Sequence, residues 1–237
     1  CPPNLARLVA SIGSYFYSVA GDTIYVNLYD SNRSDIDLNG HRIQLTQQTN
    51  YPWDETIQIT VNVDQPAAFT LALRIPGWCR DARLQVNGQD VALNSASGYA
   101  RISREWASGD QVSLTLAMPV ERMVSHPKVR QNAGQIALQR GPVVYCLEEV
   151  DNGTDLANVS LPRGSALATK FDPELFGGVS VITGTANRYV PRAWKGGLYQ
   201  PETVTLVDSP SFTFKAIPYC FWANRAPGEM RVWIRED

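Results

Sequence analysis

The chain has 237 residues, 21 Lys+Arg against 23 Asp+Glu for a formal charge of −2, and 44% hydrophobic residues. That much apolar content at so low a charge excludes a disordered tail. No apolar run reaches the ~18 residues of a membrane span, and the absence of a basic block excludes an electrostatic nucleic-acid binder. At ~100–150 residues per domain the length fits one large domain or two small ones.

The cysteines are Cys1, Cys79, Cys146 and Cys220; they form no CxxC, and the two histidines, His41 and His126, stand apart from them. This pattern argues against a disulfide framework and against a self-contained zinc finger. Cys146 and Cys220 sit in apolar, strand-like runs and are expected as buried thiols. Cys79 follows Trp78 in a turn and is expected to be exposed. With no initiator Met and no leader before Cys1, two readings open: a lipoprotein whose Cys1 carries lipid, or a piece of a longer protein.

Residues 2 to 19 read as a helix. Pro2 and Pro3 suit a first turn, where a missing N–H costs nothing. Leu5, Leu8, Val9, Ile12, Phe16 and Val19 then recur at helical spacing. The other face, Ala6, Arg7, Ala10, Ser11, Gly13, Ser14 and Tyr17, carries Arg7 as its one charge. A surface helix normally carries more, so this helix is expected to have neighbours on two sides. A lipoprotein would follow its Cys with a polar tether instead, which favours the piece of a longer protein.

From Thr23 the period becomes two. Ile36 and Leu38 lead to Asn39-Gly40 and on to Ile43 and Leu45; Leu84 and Val86 lead to Asn87-Gly88 and Val91. Both are two-residue hairpin signals. Strands are also expected around Ile57–Val63, Phe69–Ile75, Tyr99–Trp106 and Val112–Met118. Short alternating strands at this spacing predict an antiparallel sandwich. A second β block opens at Ile136, with Val143–Leu147, Val179–Thr183, Thr203–Val207, Phe212–Ile217 and Met230–Ile234 as strands. Residues 151–178, rich in Gly, Pro, Asn and Asp, read as a long loop.

Catalytic patterns are sparse. Asp35 and Asp37 share a strand face beside a hairpin and read as a solvated edge. Asp54-Glu55 follows a turn, and Glu148-Glu149 ends an apolar strand; nothing sets any of these pairs across a cleft as a glycosidase requires. No nucleophile elbow, GxGxxG or P-loop is present, and both histidines read as surface residues. Trp53, Trp78, Trp106 and Trp194 lie near turns, where a ring either plugs the core or stacks on a sugar. Cys1, at a helix N-terminus, feels the dipole end that favours a thiolate, the form that acts as nucleophile or zinc ligand.

Three segments carry a resemblance. Cys1-Pro2-Pro3-Asn4-Leu5-Ala6-Arg7-Leu8, Gln139-Arg140-Gly141-Pro142-Val143-Val144-Tyr145-Cys146-Leu147-Glu148 and the stretch from Trp222-Ala223-Asn224-Arg225-Ala226-Pro227-Gly228-Glu229 to Ile234 resemble glycoside hydrolase family 127, the β-L-arabinofuranosidase family. The resemblance spans the whole chain. It implies a catalytic (α/α)6 barrel upstream whose last helix begins with a Cys-Cys-Pro-Pro-Asn motif, followed by two β-sandwich domains. It implies retaining hydrolysis with a zinc-bound cysteine nucleophile, a glutamate acid/base, and zinc held by one Glu and three Cys. Cys1 matches the second cysteine of the adjacent pair, a zinc ligand; the nucleophile would precede it. Cys79, Cys146 and Cys220 match no ligand position.

The resulting expectation is a mainly β chain: a terminal barrel helix at 1–20, a β-sandwich at 21–122 and a second, long-looped β-sandwich at 123–237. It would be the non-catalytic C-terminal part of a retaining hydrolase of β-L-arabinofuranosides, inactive alone. Its partners would be the upstream barrel, carbohydrate in the intact enzyme, and a second copy through the uncovered helix; nucleic acid and membrane are excluded. Zinc would belong to the intact enzyme, with no cofactor in this chain, and the location would be a bacterial cytoplasm. Two rivals stay open, an autonomous carbohydrate-binding module and a lipid-anchored surface protein.

Overall fold

Pro2 and Pro3 open a helix, α1, that runs only over Pro2–Ser11 and ends in a single 3-10 turn, Ile12–Tyr15. These elements come from a computed structural model of the chain. It describes all residues except 94, 193–196, 200 and 202–205, and only the backbone of 95, 96, 191, 192 and 206–208. The helix expected as far as residue 19 stops early because Gly13 and Ser14 weaken it and Tyr17–Ala20 becomes strand β1. β1 pairs with β2, Thr23–Val26, placing Tyr17 against Val26 and Val19 against Ile24. The Tyr17 hydroxyl donates to Asn32 Oδ1 and accepts from Gln47 Nε2, both at 2.8 Å. Local helix periodicity loses here to strand pairing and a buried hydrogen-bond network.

The other strands of the first unit, Cys1–Met118, follow the alternation closely. They are β3 Asn32–Leu38, β4 His41–Thr49, β5 Thr56–Val63, β6 Ala67–Arg74, β7 Ala82–Val86, β8 Gln89–Val91, β9 Ser95–Ala96, β10 Tyr99–Trp106 and β11 Asp110–Leu116. One sheet runs β1-β2-β6-β10-β9 and the other β3-β4-β5-β11-β7-β8. Among the described residues of this unit every pairing is antiparallel except β2 with β6, where Ile24 meets Leu71 in parallel register. Both Asn-Gly pairs make tight hairpins: φ is +55° and +85° at Asn39-Gly40 and +52° and +75° at Asn87-Gly88, the left-handed pair such turns require. Between the sheets lie Ile24, Ile43, Leu45, Ile57, Ile59, Leu71, Leu73, Trp106, Leu114 and Leu116, all fully buried. Two inner faces meeting over an alternating core define a β-sandwich.

The second unit is Pro119–Asp237. The break expected between 122 and 123 lies earlier, because β12, Val120–Met123, pairs with β13, Gln135–Arg140, and so belongs to the second unit. The remaining elements are β14 Val143–Glu148, α2 Glu149–Asn152, β15 Val159–Leu161, β16 Leu167–Asp172, β17 Val179–Arg188, β18 Val190–Arg192, β19 Leu206–Asp208, β20 Ser211–Pro218, β21 Met230–Arg231 and β22 Ile234–Glu236. The segment read as a loop at 151–178 thus contains β15 and β16. β15 is buried on both faces and β16 is an exposed edge strand, so neither shows the alternation that marks a half-buried strand. The strand expected at Thr203–Val207 falls partly outside the described residues; β19 covers Leu206–Asp208.

The second unit's two faces are one continuous sheet. β13 pairs with β14, β14 with β20, β20 with β17, β17 with β15, β15 with β22, and β22 with β13. The ring so formed encloses a separate core of Leu138, Tyr145, Leu147, Leu161, Ile182, Phe214 and Ala216. Among the described residues no helix is long and apolar enough to cross a membrane.

Candidate functional site

Cys1, the residue singled out for metal chemistry, is exposed and sits at the N-terminus of α1, its carbonyl accepting from the N–H groups of Asn4 and Leu5. Among the described residues no three His, Cys, Asp or Glu side chains group to hold a metal ion. Structural zinc takes four ligands in a tetrahedron. Among the described residues one exposed thiol does not make such a site.

The other two singled-out segments meet in the second unit. β14 pairs with β21, setting Leu147 opposite Arg231 and Glu148 opposite Met230. Arg225, in the loop between β20 and β21, forks onto two carboxylates. Its Nε and Nη2 donate to Glu148 Oε2 at 3.2 and 2.5 Å, and its Nη1 and Nη2 donate to Asp151 Oδ1 and Oδ2 at 3.0 and 2.5 Å. Glu148 is only 4% exposed, and its other oxygen accepts from the Ala223 N–H at 2.9 Å. Hydrogen bonding to Asp151 first, with Glu148 adding to it, raises the Arg225 guanidinium above its ordinary range against the opposing effect of burial. Lys215 Nζ lies 3.4 Å from Asp151 Oδ1, and Arg225 lies over the Phe176 ring. Glu149 Oε2 accepts from the Glu229 N–H and Glu229 Oε2 accepts from the Leu156 N–H, at 2.8 and 2.7 Å. The Glu148-Glu149 pair is therefore a clamp that shapes the 219–229 loop, with both carboxylates occupied.

That loop presents aromatic rings. Tyr219 and Trp222 are 44% and 45% exposed, and their rings lie nearly parallel, 10° apart with centroids at 6.1 Å. Tyr219 also lines an open groove of about 750 Å3 with Gln131, Asn132, Gln135, Arg231 and Trp233. Neither Trp222 nor Trp233 is among the turn tryptophans expected to meet sugar; their position on either side of the Gly/Pro/Asn turn at 224–228 is the signal that points to them.

Trp53, Trp78, Trp106 and Trp194 are placed differently. Trp106 is fully buried, its indole N–H donating to the Phe69 carbonyl at 3.1 Å and its ring stacked on Phe69, so it is core. Trp78 is half-buried against the same core, and Trp53 is half-buried in its turn. Trp194 lies outside the described residues. The remaining carboxylates are absorbed locally. Asp37 accepts from the Gly40 N–H, Asp35 from Gln44 Nε2, Asp54 from the Glu55 and Thr56 N–H groups, and Glu55 from the Met118 N–H. His126 is exposed; His41 is half-buried with Nδ1 out of solvent, not the surface residue expected, because it begins β4 beside a hairpin.

Two of the thiols depart from expectation, Cys220 and the half-buried Cys79. Cys146 is 1% exposed, as expected, but Cys220 is exposed because the chain leaves β20 at Pro218 and turns through Tyr219–Phe221. Cys79 is intermediate, its thiol donating to the Asp81 carbonyl. Burial first, and then the Glu148 charge, push the Cys146 thiol from 9.0 up to about 12. The folded chain treated with iodoacetamide at pH 8 should label at Cys1 and Cys220 and leave Cys146 unmodified until it is denatured. Peptide mapping reads the order; early labelling of Cys146 in folded chain would contradict its placement. Because the folded value lies above the unfolded one, Cys146 supports the fold fully below pH 9.0 and loses that contribution as pH rises toward about 12.

Comparison with known proteins now bears on these two units. Residues 23–118 match the Beta-L-arabinofuranosidase, GH127 middle domain, and residues 120–235 match the Glycoside hydrolase family 127 C-terminal domain. The chain belongs to glycoside hydrolase family 127. It is 34% identical to a non-reducing end beta-L-arabinofuranosidase of Bifidobacterium longum subsp. longum, over 99% of this chain and 36% of that protein. It superposes on a GH127 beta-L-arabinofuranosidase from Geobacillus stearothermophilus T6 with a TM-score of 0.95 at 50% identity, covering 100% of this chain and 37% of that one. A second solved structure, a GH127 beta-arabinofuranosidase, gives a TM-score of 0.90 at 31% identity, covering 100% of this chain and 38% of the other. The chain thus spans little more than a third of the length of these relatives.

Proposed function

We propose that this chain is the non-catalytic C-terminal β portion of a retaining hydrolase acting on β-L-arabinofuranosides, and that it supports a helical barrel lying upstream in the same protein. The observation that carries the reading is α1. Leu5, Leu8, Val9 and Ile12 are 63%, 52%, 64% and 45% exposed, and no residue of the helix is buried. The apolar face, on a helix expected to have neighbours on two sides, is therefore uncovered. An apolar stripe of this kind calls for a partner, and a barrel's remaining helices would supply it. The names and lengths of the relatives support the same reading.

On this reading Cys1 serves as one zinc ligand only when the barrel supplies the others, together with the nucleophile and the acid/base. The four free thiols suit a reducing compartment such as the cytoplasm.

The test is release of nitrophenol from an aryl β-L-arabinofuranoside with zinc added. The 237-residue chain should show no turnover, and after dialysis it should hold far less than one zinc per chain. Joined to an upstream barrel from the same family it should hydrolyse the substrate. Turnover by the chain alone that survives Cys1→Ser would overturn the reading.

A further inference from the structure

We propose that the groove beside β21 in the second unit binds a neutral carbohydrate chain. The proposal rests on the function proposed above only for its choice of sugar, an L-arabino-oligosaccharide. The groove, about 750 Å3, is lined by the amides of Gln131, Asn132 and Gln135 and by the rings of Tyr219 and Trp233. That volume lies within the range of pockets for small organic ligands. Side-chain amides donate and accept at once, as a sugar hydroxyl does. Aromatic faces offer a large contact area for little lost rotamer freedom, which suits the C–H face of a sugar ring. Arg231 and Glu229 both line the groove, so the charge there balances and a neutral ligand is favoured over an anion.

The second observation is that the aromatic loop is held rigid. Arg225 is forked onto Glu148 and Asp151, Glu148 also takes the Ala223 N–H, and Ala223 itself is held at φ +62°. A non-glycine residue in that conformation is costly and persists only when its surroundings enforce it. The loop so enforced keeps Tyr219 and Trp222 parallel and nearly half-exposed, and neither ring joins the core of the unit. Rigid placement of exposed rings reduces the ordering cost of binding.

Titration of the 237-residue chain with a linear L-arabino-oligosaccharide, followed by tryptophan fluorescence and calorimetry, tests this. Saturable binding is expected, weakened at least about tenfold in Trp233→Ala and in Tyr219→Ala, whose rings line the groove, the loss typical of one aromatic stack. Gln135→Ala should weaken it as well without touching the clamped loop, so a folding defect at 219–229 cannot mimic the result. An absence of saturable binding, or equal binding by all three variants, overturns the proposal. So does protection of Trp233, which lines the groove, from acrylamide quenching by the upstream polypeptide in place of sugar, which would make the groove an internal interface. Each of these failures leaves the proposed function standing, because that is read by turnover of the joined enzyme.

Discussion

Arg225→Ala should cost the second unit about 3–5 kcal/mol of unfolding free energy. The reason is what the substitution leaves behind. Glu148 is 4% exposed, and the Asp151 side chain is 13% exposed. Both carboxylates are satisfied by the same guanidinium, which fits them as a planar fork. Without it, a buried carboxylate keeps only the Ala223 N–H and must be desolvated without a countercharge. Arg225→Lys should recover a minor part, since one ammonium cannot reach both carboxylates in parallel. Arg83→Ala is the control. Its 3.9 Å pair with Asp81 has side chains 79% and 66% exposed, and losing such a pair changes stability by under about 1 kcal/mol. Urea denaturation reads both. A loss below about 1 kcal/mol for Arg225→Ala would mean the clamp is not what holds the 219–229 loop.

Leu8→Glu combined with Val9→Glu should break whatever α1 joins. The isolated chain is expected to self-associate through the stripe of Leu5, Leu8, Val9 and Ile12, and the double variant to shift it to monomer by about a hundredfold in dissociation constant. Placed in a protein with its barrel, the same pair should abolish or severely reduce nitrophenol release while the two β units keep their melting behaviour. No residue of α1 is buried against the first unit, so the β units have nothing to lose. Tyr17, by contrast, is a poor site for such a charge: it lies in β1 and its hydroxyl bridges Asn32 and Gln47. Light scattering across concentrations distinguishes the outcomes. A wild-type chain that stays monomeric at every concentration would remove self-association from the account.

What the sequence discloses here depends on how local each determinant is. The hairpins at Asn39-Gly40 and Asn87-Gly88 are legible because two adjacent residues specify the backbone conformation. The first sandwich is legible because β4, β5 and β11 each bury one face in strict alternation. α1 reads too long because the apolar spacing runs on past Ser11, while the competing strand pairing of Tyr17 with Val26 is invisible without the fold. β15 and β16 hide for opposite reasons, one wholly buried and one mostly exposed. The clamp is the least legible feature. Arg225 and Glu148 stand 77 residues apart, and each alone looks like an ordinary surface charge. Cys220 misleads in the same manner, since its apolar neighbours are in strand β20 and it is not.

The ring of the second unit has a consequence for the order in which the molecule can be made. The first unit is complete at Met118, so its sandwich has all its strands while the rest of the chain is still being synthesised. The second unit is different: β22, Ile234–Glu236, is the piece that joins β13 to β15, on one side antiparallel and on the other parallel. Until those residues emerge from the ribosome, β13 and β15 each present an open edge over an unfinished core, and the join they await spans nearly the whole unit in sequence. Such late, distant closure is slow and exposes aggregation-prone edges in the meantime. Nascent chains stalled before residue 234 should therefore carry a protease-resistant first unit ahead of a protease-sensitive second one, and depend on chaperones until the last strand arrives.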